Sequence, residues 1–286
     1  MSRSSEASWR QPRAARKQLG PVLLYGQVLV LLLLTLFPVL WLVQMSLKTD
    51  IEAIRMPPKL AFSPTGENYV ALFEGKFARS FGNSTVVSVV TTLVSLLLGV
   101  PAAYALSRAG FRADRSIALW ILTTRMAPPI AFAIPFFLAY RAVGLIDTLT
   151  GLVIIYLTFN LSLVIWMMRT FFDGLPRSLE EAAAIDGASP LSVFLQITLP
   201  LAGPGLATTA IFCFLFAWND FFFALVLTRS KAQMAPVAIV NFMNYEGWEW
   251  GKIAAGGSMI MLPVVLFSLL VRRYLIRGLT AGAVKG

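Results

Sequence analysis

The chain has 286 residues, is 57% hydrophobic and 13% charged, and carries a formal net charge of +10; a soluble domain is about 45–50% apolar and about 25% charged. This composition excludes a soluble globule, and the basic residues are scattered over short segments rather than gathered on one face as nucleic-acid binding requires. With no histidine and a single cysteine, Cys213, His-based triads, HExxH zinc sites, disulfide frameworks and CxxC metal or redox pairs are excluded as well, and no metal site is expected.

Residues 1–19 form a basic N-terminal segment with Arg10, Arg13, Arg16 and Lys17. Apolar runs long enough to cross a hydrocarbon core at helical rise follow at 20–47, 82–107, 117–141, 149–171, 205–227 and 254–276. The first is too long for a signal-peptide core and lacks a small-x-small cleavage site, so it reads as an anchor. The expected fold class is all-α: a polytopic transmembrane helical bundle of about six spans over 20–276, with a tail at 277–286. Within the third run, Pro128-Pro129 predicts a kink just after Arg125, which lies about a third of the way into the span by helical rise. Free carbonyls at that depth are tolerated beside protein or a water-filled cavity.

Lys and Arg are enriched in cytoplasmic loops. With the N-terminus inside, fourteen basic residues lie on the cytoplasmic side, including Arg108, Arg112, Arg115, Arg169, Arg177, Arg272 and Arg273, against nine outside, with Arg125 left within a span. Both termini are therefore expected in the cytoplasm. The outer side receives two substantial loops, 48–81 and 228–253.

Between the fourth and fifth spans, residues 173–204 carry the polar stretch "EEAAAIDGAS", Glu180 to Ser189. Glu180 to Ala184 are good helix formers with acids early in the helix. Asp186-Gly187 ends it through a positive-φ glycine, and Ser189-Pro190 starts a second short helix with Ser as N-cap and Pro in its first turn. Two short helices with an alanine face and apolar knobs suit a groove on another protein.

The run Glu181-Ala182-Ala183, then Asp186-Gly187, then Ile197-x-Leu199-Pro200 resembles the EAA loop of ABC importer permeases at every fixed position. The terminal "RGLTAGAVKG" (Arg277 to Gly286), "AWND" (Ala217 to Asp220) and "LPLAGPG" (Leu199 to Gly205) resemble maltose-transporter-type sugar permeases. The resemblance implies a type I ABC importer permease fold in a prokaryotic cytoplasmic (inner) membrane. It also implies a second homologous permease subunit, an ATPase homodimer or pair that binds the ATP and Mg, an extracytoplasmic solute-binding protein, and no cofactor in this chain. It makes Glu181 the ion-pairing residue to the ATPase, Gly187 the turn, and Ala182 and Ala183 the close-packed face. Leu279, Thr280, Gly282 and Lys285 become an ATPase-interface tail, and Tyr245, Trp248 and Trp250 candidates for contact with the binding protein.

Polar or flat side chains within spans, Arg125, Asn160, Trp218, Asn219 and Asp220, are candidates for a sugar or polyol pathway. The rival reading is an ion-coupled secondary transporter, which should show carboxylates within spans; only Asp220 qualifies. "GWEWGK" (Gly247 to Lys252) has the wrong spacing and lacks the Ser/Thr of a P-loop, so ATP hydrolysis is expected in partner subunits and not here.

Overall fold

A computed structural model describes residues 13–108, 110, 114–245 and 247–283, with most side chains between 23 and 270. Helix α1 (Arg13–Ser46) is followed by a short α2 (Asp50–Ala53) and α3 (Glu67–Glu74), then α4 (Lys76–Arg108), α5 (Asp114–Thr123), α6 (Ala133–Ala142) and α7 (Leu149–Asp173). The chain continues through α8 (Arg177–Ile185), α9 (Pro190–Val193), α10 (Leu199–Leu201), α11 (Gly203–Asn219), α12 (Phe222–Leu227), α13 (Ala235–Ala238), a two-residue hairpin of β1 (Met243–Asn244) and β2 (Gly247–Trp248), and α14 (Trp250–Ala283).

Four helices, α1, α4, α7 and α14, are long and apolar enough to cross a membrane among the described residues, and the bent pair 190–201 and 203–219 makes a fifth. The run at 117–141 departs from the single span expected for it. It is built as α5 and a second piece, a 3-10 turn at Pro129–Phe132 leading into α6, with an irregular turn between them. Pro129 cannot donate the amide that an unbroken helix needs at that point, and Pro128 is held extended at ψ 127°.

Helix α4 buries mainly small and hydroxyl side chains and turns its larger aliphatic ones outward. Ser80, Ser84, Ser88, Thr91, Thr92, Ser95, Gly99 and Ala103 are buried, while Val86, Leu93, Leu97 and Leu98 are exposed. Small residues let α4 and α7 approach closely: a Cβ on Gly99 would lie 2.6 Å from Val164 Cγ1. On α1, Leu23, Leu24 and every residue from Val28 to Leu34 are exposed, as a lipid-facing helix requires.

At the end of the bundle away from residues 173–203, backbone groups are gathered by polar side chains. The buried Asn68 donates to the Ser46 and Lys48 carbonyls at 2.9 and 2.7 Å, and Asp50 accepts the Gly251 amide at 3.0 Å. Asp147, at φ 57°, accepts the amides of Arg229, Lys231 and Ala232 at 2.9–3.1 Å and that of Ser230 at 3.3 Å. The loops before α7 and after α12 are thereby joined.

Burial alone would raise the Asp147 carboxyl, but these backbone donors outweigh it and hold it below its ordinary value of 3.8. A depressed carboxylate contributes stability that is fully present above the ordinary value and lost as pH falls through the folded one. Asp147→Asn is therefore expected to lower the thermal midpoint of the purified protein at neutral pH by the equivalent of about 1–2 kcal/mol. The gap to the wild type should close as the melt is repeated below pH 3.8.

Candidate functional site

Residues 173–203 cap one end of the bundle. Helix α8 closes in a Schellman motif: the Ala188 amide donates to the Ala183 carbonyl at 3.0 Å and the Gly187 amide to that of Ala184 at 3.1 Å, with Gly187 at φ 87°. Ser189 then caps the next helix by accepting the Ser192 amide at 3.3 Å, with Pro190 at its first position. A π-helical turn at Phe194–Thr198 carries the chain into Leu199 and Pro200, and the axis bends by 77° into α11. Ile197 and Leu199 are half-buried and Pro200 is exposed. Gly205 admits the Phe171 ring, which a Cβ would approach to 2.4 Å.

The two adjacent glutamates point apart. Glu181 is exposed, as are Ala182 and Asp186, while Ala183 is half-buried. Around them stand Ile185 at 86% exposure and Leu191 at 67%, with Leu179 and Leu195 beside them. Glu180 faces inward. Its carboxylate accepts Arg108 Nε at 3.0 and 2.9 Å and Nη2 at 2.8 Å, Tyr104 Oη at 3.2 Å and Thr198 Oγ1 at 3.0 Å. Burial pushes the Glu180 carboxyl up, but the Arg108 and Thr198 hydrogen bonds, the Arg108 charge and the Tyr104 hydroxyl together hold it below the usual glutamate range. Sequence reasoning attached chemistry to Glu181 and missed Glu180.

A cavity of about 200 Å³ opens between α7, α11, α12 and the segment joining α5 to α6, lined by Arg125, Pro129, Tyr156, Phe159, Asn160, Phe216, Ala217, Asp220 and Phe223. Arg125 sits in the turn after α5 and not in a continuous span, with its guanidinium carbon 4.6 Å from the centre of the Phe216 ring. Asp220 lies at the break between α11 and α12, where it accepts Tyr156 Oη at 2.8 Å and the Ala224 amide at 3.1 Å. Among the described residues Arg125 and Asp220 form no ion pair; the arginine charge rests on an aromatic face instead. Asn160 donates to the Cys213 carbonyl at 3.0 Å.

The structure brings Arg125, Asn160 and Asp220 together and leaves out the other two candidates. Trp218 is 1% exposed, donates to the Ile260 carbonyl at 3.0 Å and stacks on Phe214, so it is a packing residue. Asn219 faces outward and donates to Leu215 on its own helix. Tyr156, Phe159, Phe216 and Phe223 line the cavity without having been singled out. In the sequence each is an ordinary apolar-run aromatic, and only the two helix breaks bring them together.

At the opposite end, Tyr245 is fully exposed at the tip of the β1–β2 hairpin, and the Trp248 and Trp250 rings lie 4.9 Å apart beside it. Leu279, Thr280 and Gly282 lie in the last turns of α14, where only the backbone is described, and Lys285 lies outside the described residues.

Residues 95–280 match the family model described as the binding-protein-dependent transport system inner membrane component. The chain belongs to that family. It is 42% identical over 255 residues to the trehalose transport system permease protein SugB of Mycobacterium tuberculosis, covering 88% of this chain and 93% of that protein. To the trehalose/maltose transport system permease protein MalG of Thermococcus litoralis it is 33% identical over 93% of this chain and 97% of the other. Among solved structures, a chain of a bacterial ABC transporter involved in the import of the acidic polysaccharide alginate superposes with a TM-score of 0.75 at 27% identity, over 93% of this chain and 99% of that one. As a member of the binding-protein-dependent family, the chain is a membrane-spanning ABC importer permease of type I fold, a transport subunit and not itself an ATPase or a secondary transporter.

The two excluded candidates separate by measurement. Trp218→Ala should cost about 3–5 kcal/mol, the usual range for emptying a buried aromatic site. Asn219→Ala should stay within about 0.5 kcal/mol, as exposed positions do. Thermal unfolding of the purified variants followed by fluorescence checks both.

Proposed function

We propose that this chain forms half of the translocation pathway of an ATP-driven importer for a sugar or polyol, with residues 173–204 as its coupling element. What carries the reading is that this loop exposes four large apolar side chains, Leu179, Ile185, Leu191 and Leu195, together with Glu181. An apolar patch at a polar loop on a membrane protein is a docking surface in search of a partner. The partner is an ATPase dimer, which binds ATP and Mg; its closure moves the loop and rocks the attached spans between inward-facing and outward-facing states. A second permease supplies the other half of the pathway, and an external solute-binding protein delivers the solute.

The basic-residue bias supports a cytoplasmic-membrane orientation with both termini inside. In that orientation the last turns of α14, which carry Leu279, Thr280 and Gly282, lie on the side of the ATPase, Lys285 follows them in sequence, and the hairpin bearing Tyr245, Trp248 and Trp250 faces the binding protein.

The cavity supports a polyhydroxy solute. Phe159, Phe216 and Phe223 offer flat apolar faces, Arg125 offers donors, and Asp220 and Asn160 offer acceptor oxygens. The relatives named for trehalose and maltose point to the same chemistry.

Two substitutions test the reading in the reconstituted complex with its binding protein, screened against neutral disaccharides and polyols. Gly187→Trp places a side chain at φ 87°, where a Cβ costs about 1–2 kcal/mol; the subunit should insert yet uptake should vanish, and normal uptake would sink the coupling role. Arg125→Met should reduce uptake by about tenfold or more, through loss of donors to the solute, while assembly and ATP hydrolysis persist. Unchanged transport kinetics would return Arg125 to a packing role on Phe216.

A further inference from the structure

Beneath the coupling loop lies a polar cluster that the docking surface does not use. Glu180 receives donors from the cytoplasmic-end turn of α4 through Arg108 and Tyr104, and from the π-helical turn through Thr198. Arg108 also donates to Ser107 Oγ at 3.0 Å, and Ser107 in turn donates to Asp173 at the last residue of α7. Arg177, at the start of α8, donates to the Ser107 carbonyl at 3.1 Å. The Tyr104 ring packs on Phe172 and Phe194, both buried. One carboxylate thus joins three elements directly, the end of α4, helix α8 and the π-helical turn that follows α9, and Ser107 ties the end of α7 to the same cluster.

We propose that Glu180 is the positioning residue that makes coupling mechanical, clamping α8 to α4 so that a displacement of the loop is delivered to the spans as one rigid body. The inference rests on the coupling reading above and goes beyond it, because the residue concerned faces away from any ATPase. Three observations support a geometric rather than a purely cohesive role. The Arg108 and Glu180 side chains are 13% and 14% exposed, and a buried ion pair adds little net stability while fixing direction strongly. The contact is multidentate, so it resists rotation as well as separation. None of the residues of α8 is buried, and beside the Glu180 contact the Arg177 bond to the Ser107 carbonyl is its other polar tie to α4 among the described residues.

Without the clamp, a push on Ile185 and Leu191 would pivot α8 about the Gly174 and Gly187 turns and dissipate before reaching α4. Interfaces that switch as rigid bodies require their contacts to survive the motion.

The test uses the full complex with its partner permease, ATPase and binding protein. Spin labels are placed through Ser178→Cys on α8 and Ala105→Cys on α4, both exposed; the sole native cysteine, Cys213, is fully buried and leaves the background silent. The α8–α4 distance should be the same within about 2 Å in nucleotide-free and vanadate-trapped complexes, because that is the scale of a helix shift within a packed body. In Glu180→Gln the trapped-state distribution should broaden or shift beyond that, and solute imported per ATP should fall about tenfold, with the ATPase still co-purifying. The swap Glu180→Arg with Arg108→Glu should recover most of that ratio. Thr198→Val, which removes one donor and no charge, should give a smaller loss in the same direction and serves if the glutamine variant does not fold.

A wild-type distance that changes between states, or a Glu180→Gln complex with unaltered distance and import per ATP, overturns the clamp. Loss of the ATPase from Glu180→Gln also overturns it, by making Glu180 a docking residue. Absence of an ATPase from the wild-type complex would instead overturn the coupling reading on which the clamp depends.

Discussion

Hydrocarbon gives apolar helices no reason to leave it for one another, so a bundle of this kind is held by how closely its backbones approach and by what its polar groups find inside. The α4–α7 seam meets that constraint by setting the glycine, serine, threonine and alanine of α4 against larger apolar residues of α7 such as Val164, Met168 and Phe172. Val164 lies where a Gly99 side chain would begin. Once these two helices are fixed side by side, α11 rests on both, and the turn bearing Arg125 and the break bearing Asp220 meet across the remaining gap.

Irregular backbone is confined to places where protein or a cavity can satisfy it. The Pro128-Pro129 turn and the Asp220 break both border the same 200 Å³ space, and the Asp220 carboxylate takes up the Ala224 amide that the break leaves free. The loops at the far end are handled similarly, by Asp147 gathering four successive amides. At both places polar side chains serve backbone first.

Local chemistry was legible in the sequence wherever one short segment decided it. Gly187 announced a positive φ, Ser189-Pro190 a helix start, and Pro128-Pro129 a break, and each is where the residues put it. The apolar runs located the membrane helices, but a run records composition and not continuity, so 117–141 gave no sign that it was two pieces beyond its prolines. Trp218 reads as a flat surface for a solute, but its ring stacks on Phe214 and its N–H goes to the Ile260 carbonyl, a partner 42 residues away that the local sequence does not announce. Glu180 and Glu181 are the sharpest case. Adjacent helical residues diverge by about 100°, and which one turns inward was settled by Arg108, 72 residues earlier in the chain.

Helices α1 and α14 each run for 34 residues, about 50 Å at helical rise against a hydrocarbon core of about 30 Å. Something close to 20 Å of each must therefore stand clear of the lipid or be taken up by tilt. For α14 the excess includes its own last turns, so the tail residues up to Ala283 are part of a rod whose height and azimuth are set by residue number. One residue inserted between Pro263 and Arg277 would leave the composition almost unchanged, yet it would raise the tail by about 1.5 Å and swing it by about 100°. The length of this helix is thus a phase setting for the residues at its end.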